Sequence, residues 1–211
     1  MISVLVSTYN QEKYIATTLD SILSQKCDIA FEILVGDDCS TDNNREVIDR
    51  YAEQYPDIIK RVYTKNNIGA SKNLVNMLRH AKGEYIATID GDDTWIDEYK
   101  LQKQWLALLN NPDVGMVVAE AKCWDEQNQC YSGVTGSDIV YDFSRLIMSD
   151  SDVASPTQFF RKELLDKCVA QSSWFVEHNY FFDSVISYWF AYYSKIHFIP
   201  EELALYRVLE E

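Results

Sequence analysis

A chain of 211 residues that is 47% apolar and 13% aromatic holds enough hydrophobic material for one domain with a substantial core, which excludes a disordered segment. Its formal charge of -14 excludes a nucleic-acid partner and a polybasic membrane anchor, since both need clustered Lys and Arg, but is compatible with a nucleotide held through a metal ion. The five cysteines (Cys27, Cys39, Cys123, Cys130 and Cys168) are scattered and form no CxxC pair, as expected of reduced thiols in a cytoplasmic protein.

The opening residues have no basic segment followed by a long apolar one, and no run reaches the length of a membrane span. Residues 2–7 are apolar and β-branched, which predicts a buried strand ending in the polar Ser7-Thr8-Tyr9-Asn10. Ile15, Leu19, Ile22 and Leu23 then keep helical spacing. A second strand over residues 31–35 runs into Gly36-Asp37-Asp38-Cys39-Ser40-Thr41-Asp42, where Ser40 or Thr41 is expected to cap a helix with Val47, Ile48, Tyr51 and Tyr55 on one stripe, stopped by Pro56. A third strand is expected near residues 59–63, a turn at Asn66-Asn67-Ile68-Gly69, and a helix with Ala70, Leu74, Met77, Leu78 and Ala81 on one face. The fourth strand, residues 85–89, leads into Asp90-Gly91-Asp92-Asp93.

Strands alternating with helices imply parallel strands joined by right-handed crossovers, hence an open α/β sheet. Ligands of such sheets sit beyond the carboxyl ends of the strands, so residues 8–10, 37–40 and 90–93 are expected to converge on one rim. Three carboxylates within four residues repel one another and are costly to bury without compensation. Oxygen-only ligands at a strand end suit a hard divalent cation, Mg²⁺ or Mn²⁺, that shares its shell with water and substrate phosphates. An exposed acidic turn is the alternative for Asp90 to Asp93, as is compensation of a helix N-terminus for Asp37 and Asp38.

The rest of the chain is less regular. A helix is expected with Leu101, Trp105, Leu108 and Leu109 buried, closed by Asn110-Asn111-Pro112, and then a strand over residues 115–119. Residues 120–155 read as a loop-rich connection around a short helix near residues 143–148. A strand over residues 157–161, a short helix through Leu164 and Leu165, an aromatic helix over residues 180–193 and two strand-like pieces, 196–200 and 203–208, complete it. The chain stops directly after the last of these, so it is expected to be a truncated piece of something longer.

These segments resemble the family 2 glycosyltransferases, inverting nucleotide-sugar enzymes of the GT-A fold, over nearly the whole chain. Val6-Ser7-Thr8-Tyr9-Asn10 with Glu12 is similar to that family's opening strand and loop. Val35-Gly36-Asp37-Asp38-Cys39-Ser40-Thr41-Asp42 is similar to its second, where glycine is more usual at the place of Cys39. Asn67-Ile68-Gly69, Lys72-Asn73 and Gly83-Glu84-Tyr85-Ile86 lead into Asp90-Gly91-Asp92-Asp93 as the family's DxD segment does, with Lys72 where arginine is common.

The resemblance implies one catalytic domain with an open, mixed, mostly parallel sheet flanked by helices. Residues 1–119 would form its nucleotide-binding half and residues 120–211 its acceptor-side half. It implies that Asp38, rather than Asp37, receives the uracil N–H of a UDP-sugar, with Ser7, Thr8, Tyr9 and Glu12 lining base and ribose. Asp90 would lie near ribose and diphosphate, and Asp92 would ligate Mn²⁺ or Mg²⁺. Asp183 is the expected general base, with Glu177 and then His178 in reserve; the alternative for Asp183 is charge at a helix start. Trp95 would offer a platform to the acceptor or belong to the core. Tyr206-Arg207 resembles the family's final YR motif, although the histidine or serine-rich segment that usually follows does not appear. The implied acceptor is a saccharide or lipid-linked hydroxyl in cell-surface polysaccharide or glycolipid synthesis, on the cytoplasmic side of a membrane and with peripheral association.

Three rivals remain at this point. A phosphoacceptor receiver would use Asp37, Asp38 and Asp90, but leaves the first strand and helix and residues 150–211 without a purpose. A nucleotidyltransferase would want a glycine- and arginine-rich loop where residues 8–13 stand. The third is a catalytically inactive sugar-nucleotide-binding domain.

Overall fold

The computed structural model describes residues 1–135, 146, 153–178 and 182–209. Its first part follows the expected alternation: β1 (Ile2–Thr8), α1 (Ile15–Leu23), β2 (Phe31–Asp37), α2 (Asn44–Gln54), β3 (Ile59–Arg61), α3 (Ala70–His80) and β4 (Tyr85–Asp90). β1 runs parallel to both β2 and β4, with Ser7 opposite Gly36 on one side and Asp90 on the other. That shared register brings the three polar strand ends together.

Both faces of the sheet are covered, which explains why the central strands read as unbroken apolar runs. Val4, Val6, Ile33, Val35, Ala87 and Ile89 face a cluster that includes Ile15, Leu19 and Ile22 of α1 and Ile48 of α2. Leu5, Leu34 and Ile86 point the other way, against Val75, Met77 and Leu78 of α3.

The remaining elements are β5 (Thr94–Trp95), α4 (Lys100–Asn110), β6 (Val114–Asp125), β7 (Cys130–Thr135), a 3-10 turn (Ser155–Thr157), β8 (Phe159–Arg161), α5 (Lys162–Gln171), α6 (Ser173–Glu177), α7 (Phe182–Tyr193) and β9 (Lys195–Val208). Among the described residues one nine-stranded sheet has the order β3-β2-β1-β4-β8-β6-β9-β5, with β7 paired to β6. β8 runs antiparallel between β4 and β6, β5 runs antiparallel to β9, and the other pairs on this path are parallel.

Several expectations are corrected. Residues 120–125 are not part of an irregular connection but continue β6, whose Val117, Ala119, Ala121 and Cys123 are all buried. The chain then turns into β7, helped by Asn128 N–H donating to Asp125 at 2.8 Å and by Gln129 at φ 51°. The helix expected near residues 143–148 lies outside the described residues except for Leu146, which is buried. The two C-terminal pieces form one strand, β9, whose register against β6 shifts around Glu120, opposite Glu202 and close to Pro200, which lacks an N–H to pair.

Leu109 is 51% exposed, because α4 turns Lys100, Leu101, Gln104 and Leu108 inward instead. Lys100 Nζ donates to Gln104 at 2.7 Å and stands 4.1 Å from the centre of the Trp95 ring. In α3 the buried face is rotated towards Ser71, Asn73 and Val75, leaving Ala70 exposed. α2 begins later than a Ser40 or Thr41 cap requires; Asp42 accepts from Asn44 N–H at 3.1 Å instead.

Candidate active site

The carboxyl ends of β1, β2 and β4 border a cleft of about 230 Å³. Ser7, Thr8, Tyr9, Asp38 and Asp90 all line it, and Gln11, Asn67, Gly69, Ala70 and Asn73 complete the wall. Tyr9 is 45% exposed, so its ring is available at the surface. Glu12 is not among the lining residues. Its carboxylate accepts from the Asn43 backbone and side-chain amides at 2.8 Å each, fastening the loop after β1 to the start of α2.

The adjacent acids after β2 have different surroundings. Asp37 is fully buried and accepts from Ser40 N–H at 3.0 Å, from Asn44 Nδ2 at 2.9 Å and from Arg45 Nε. Burial pushes its carboxyl up, but the hydrogen bonds from Ser40, Asn44 and Arg45 outweigh this and leave it below its ordinary value. Arg45 continues to the Thr64 carbonyl at 2.7 Å, so Asp37 anchors the chain after β3. Asp38 accepts from Ile68 N–H at 2.8 Å, Gly69 N–H at 2.7 Å and Thr64 Oγ1 at 3.1 Å. A carboxylate has about four acceptor positions, so Asp38 keeps capacity for one more donor.

Cys39 follows at φ 66°, a left-handed conformation that costs a non-glycine residue roughly 1–2 kcal/mol. This is the physical reason that glycine suits the position.

The acidic turn after β4 is pressed against the loop after β1. A Cβ on Gly91 would stand 2.6 Å from Gln11 Oε1 and 2.7 Å from Thr8 Oγ1, so only glycine fits. Thr18, fully buried on α1, fixes the turn from below with its hydroxyl 2.9 Å from the Gly91 carbonyl and 2.7 Å from that of Asp93. Sequence reasoning missed Thr18, which sits among Ile15, Leu19 and Ile22 with nothing to mark it.

Asp93 is 1% exposed; its Oδ1 accepts from the Arg207 N–H of β9 at 2.8 Å, and its Oδ2 has no partner among the described residues. Burial first, then the charges of Asp90 and Asp92, raise its carboxyl well above the usual range. Asp92 is raised too, by burial, against the opposing effects of its own backbone N–H, Arg207 and Gln11. Arg207 Nε donates to the Asp92 carbonyl at 2.9 Å, its Nη1 pairs with Glu126, and its guanidinium lies 4.7 Å from the centre of the Tyr14 ring.

These donors fit a hard divalent cation. Asp92 offers carboxylate oxygens in a setting that disfavours their charge, with Asp90 two residues before it, and such a cation needs only one or two carboxylates when phosphate and water complete its shell. Among the described residues no group of three or more His, Cys, Asp or Glu could hold a metal by itself.

Trp95 is 4% exposed and donates its Nε1–H to the Pro156 carbonyl at 2.9 Å, so it belongs to the core and gives an acceptor no platform. Asp183 falls in the first turn of α7, and its side chain lies outside the described residues. Glu177 and His178 are exposed at the end of α6, with His178 stacked on Trp174 at 4.5 Å. Lys72 is exposed on α3 and does not line the cleft.

A mixed, mostly parallel sheet flanked by helices, with an acidic turn bordering a cleft at its carboxyl edge, defines the class of GT-A-like glycosyltransferases. The chain belongs to Glycosyl transferase family 2, whose sequence model matches residues 3–168. This sets aside the receiver and the nucleotidyltransferase.

An uncharacterised glycosyltransferase of Nostoc sp. is 31% identical over 98% of this chain and 64% of its own length. The poly(ribitol-phosphate) beta-N-acetylglucosaminyltransferase TarS of Staphylococcus aureus is 30% identical over 77% of this chain and 28% of its own length. The crystal structure of TarS 1–349 with UDP-GlcNAc matches with a TM-score of 0.72 at 23% identity, covering 100% of this chain and 59% of that one. The mannosyltransferase PcManGT of Pyrobaculum calidifontis, in complex with GDP-Man and Mn²⁺, matches with a TM-score of 0.64 at 23% identity, covering 97% and 56%. At these identities the structural likeness is one of fold. The chain spans less than two thirds of the length of each of these proteins.

Proposed function

We propose that this domain transfers a hexosyl or N-acetylhexosaminyl group from a UDP-sugar to a hydroxyl acceptor, with inversion at the anomeric carbon. The observation that carries this reading is the convergence of Ser7, Thr8, Tyr9, Asp38 and Asp90 on one cleft, beside the acidic turn. The remaining acceptor position of Asp38 takes the uracil N–H, Tyr9 offers its ring to the base, and Ser7 and Thr8 border the ribose. Asp90 orients ribose and diphosphate, and Asp92 holds Mn²⁺ or Mg²⁺. When bound, that cation acts as a Lewis acid towards the charge on the departing UDP.

Asp183 takes the proton of the acceptor hydroxyl as it attacks from the face opposite UDP. Residues 1–119 form the nucleotide-binding half and residues 120–211 the acceptor-side half. Acceptors are saccharides or lipid-linked saccharides of cell-surface polymers, a setting supported by the name of TarS, and the reaction occurs at the cytoplasmic face of a membrane with peripheral association. No helix among the described residues is long and apolar enough to cross a membrane.

UDP with Mn²⁺ raises the melting temperature if this reading holds, because a ligand that binds only the folded state stabilises it. Asp183→Asn keeps that shift and loses transfer. A UDP shift without turnover on any acceptor marks an inactive sugar-nucleotide-binding domain instead, and no shift with any nucleotide sugar refutes the donor assignment.

A further inference from the structure

The β6–β7 hairpin carries a side-chain cluster that the donor cleft does not use. Arg207 of β9 lies opposite Trp124 of β6, and Trp124 lies opposite Tyr131 of β7. Glu126 links the first two, accepting from Trp124 Nε1 at 3.0 Å and from Arg207 Nη1, while Arg207 Nε reaches the Asp92 carbonyl at 2.9 Å. The hairpin is thus bonded to the acidic turn. Trp124 holds the Tyr131 ring edge-to-face at 5.2 Å, yet 62% of Tyr131 is exposed. A core tyrosine would be covered, and an incidental surface tyrosine would lack a ring to fix it. Tyr131 is fixed yet mostly exposed, two strand spacings or about 10 Å from Arg207 along the sheet.

We propose that the Tyr131–Trp124 ledge is an outer acceptor subsite, which takes the C–H face of an uncharged pyranose one or two sugar units from the reacting hydroxyl. This rests on the sugar-transfer reading above. The electron-rich face of tyrosine attracts the weakly positive C–H groups of a sugar ring, and the ring's hydroxyls project sideways towards donors and acceptors. Glu126, already bonded to Trp124 Nε1, supplies an acceptor there. Lys122 supplies a donor, with its Nζ 5.8 Å from the centre of the Tyr131 ring.

The charges disfavour a polyol phosphate. Lys122 is paired with Glu202 at 2.8 Å and Arg207 with Glu126, so the cations of the ledge are balanced, and Asp125 adds a further negative charge.

The test is saturation-transfer NMR on wild type, Tyr131→Ala and Tyr131→Phe with three probes: cellobiose, N,N′-diacetylchitobiose and ribitol phosphate. The ledge predicts that at least one disaccharide binds wild type, is weakened about tenfold or more in Tyr131→Ala, and is restored in Tyr131→Phe. Equal disaccharide binding to wild type and Tyr131→Ala overturns the proposal. So does the absence of disaccharide binding to wild type, or a preference for ribitol phosphate. Stabilisation by UDP is measured on the same samples. Its absence in wild type removes the donor reading and leaves the ledge to be judged on the disaccharides, while its persistence in Tyr131→Ala shows that the variant is folded.

Discussion

Two acidic turns border the cleft, and they are compensated in opposite ways. The turn after β2 satisfies itself: Asp37 is fully buried, but Ser40, Asn44 and Arg45 hold its carboxyl below its ordinary value. The turn after β4 does not. Asp92 and Asp93 are pushed up by burial, Arg207 offsets them only in part, and Asp93 Oδ2 has no partner among the described residues. A carboxylate supplied with donors stabilises the fold, whereas a cluster left short of positive charge is suited to a cation that arrives with the substrate.

Exchanging charge for amide separates the two turns. Asp92→Asn is expected to lower transfer roughly a hundredfold to a thousandfold, the scale of losing a group that stabilises developing charge, while the domain stays folded. Steady-state rates with excess Mn²⁺ beside a melting curve check this. Asp37→Asn acts on the fold instead, leaving Arg45 without its buried partner. A loss of about 2–3 kcal/mol in urea unfolding is expected, less than for a fully buried pair because Arg45 is itself partly exposed.

The pH slopes have opposite signs. The lowered carboxyl of Asp37 gives stability that is present above its unfolded value near 3.8 and is lost as pH falls through its lower folded value. The raised carboxyl of Asp93 gives stability that is full below 3.8 and is lost as pH rises through its folded value. In EDTA, Asp93→Asn should therefore stabilise the domain above that range by about 1 kcal/mol and flatten the slope, whereas Asp37→Asn flattens the acid limb. Melting temperatures across the pH range show which. The smallest effect is expected for Cys39→Gly, a gain of about 0.5–1 kcal/mol from relief of the left-handed backbone, less the entropy that glycine adds to the unfolded chain.

Legibility in the sequence divides along similar lines. Through β4 the central strands β1, β2 and β4 are covered on both faces and each crossover is local, so apolar runs and helical spacing mark the elements, and the polar groups at their ends mark Ser7, Thr8, Tyr9, Asp38 and Asp90. Beyond β4 the sheet is assembled from distant pieces. β8 enters between β4 and β6 far along the chain, and β9 brings Arg207 back to Asp93, a pairing with no local signal. Thr18 is hidden for a related reason, since it is a polar residue on an inward helix face whose partners belong to another segment. Glu12 lay near the cleft in sequence but spends its carboxylate on α2.

The central claim is that the turn from Asp90 to Asp93 takes a divalent cation together with UDP, and that the Asp37 turn does not. Titrating Mn²⁺ into the protein with UDP and following the free-ion signal by electron paramagnetic resonance tests it directly. The account predicts that wild type removes the free-ion signal, that Asp92→Asn restores it, and that folded Asp37→Asn behaves as wild type. Undiminished Mn²⁺ binding by Asp92→Asn would contradict it.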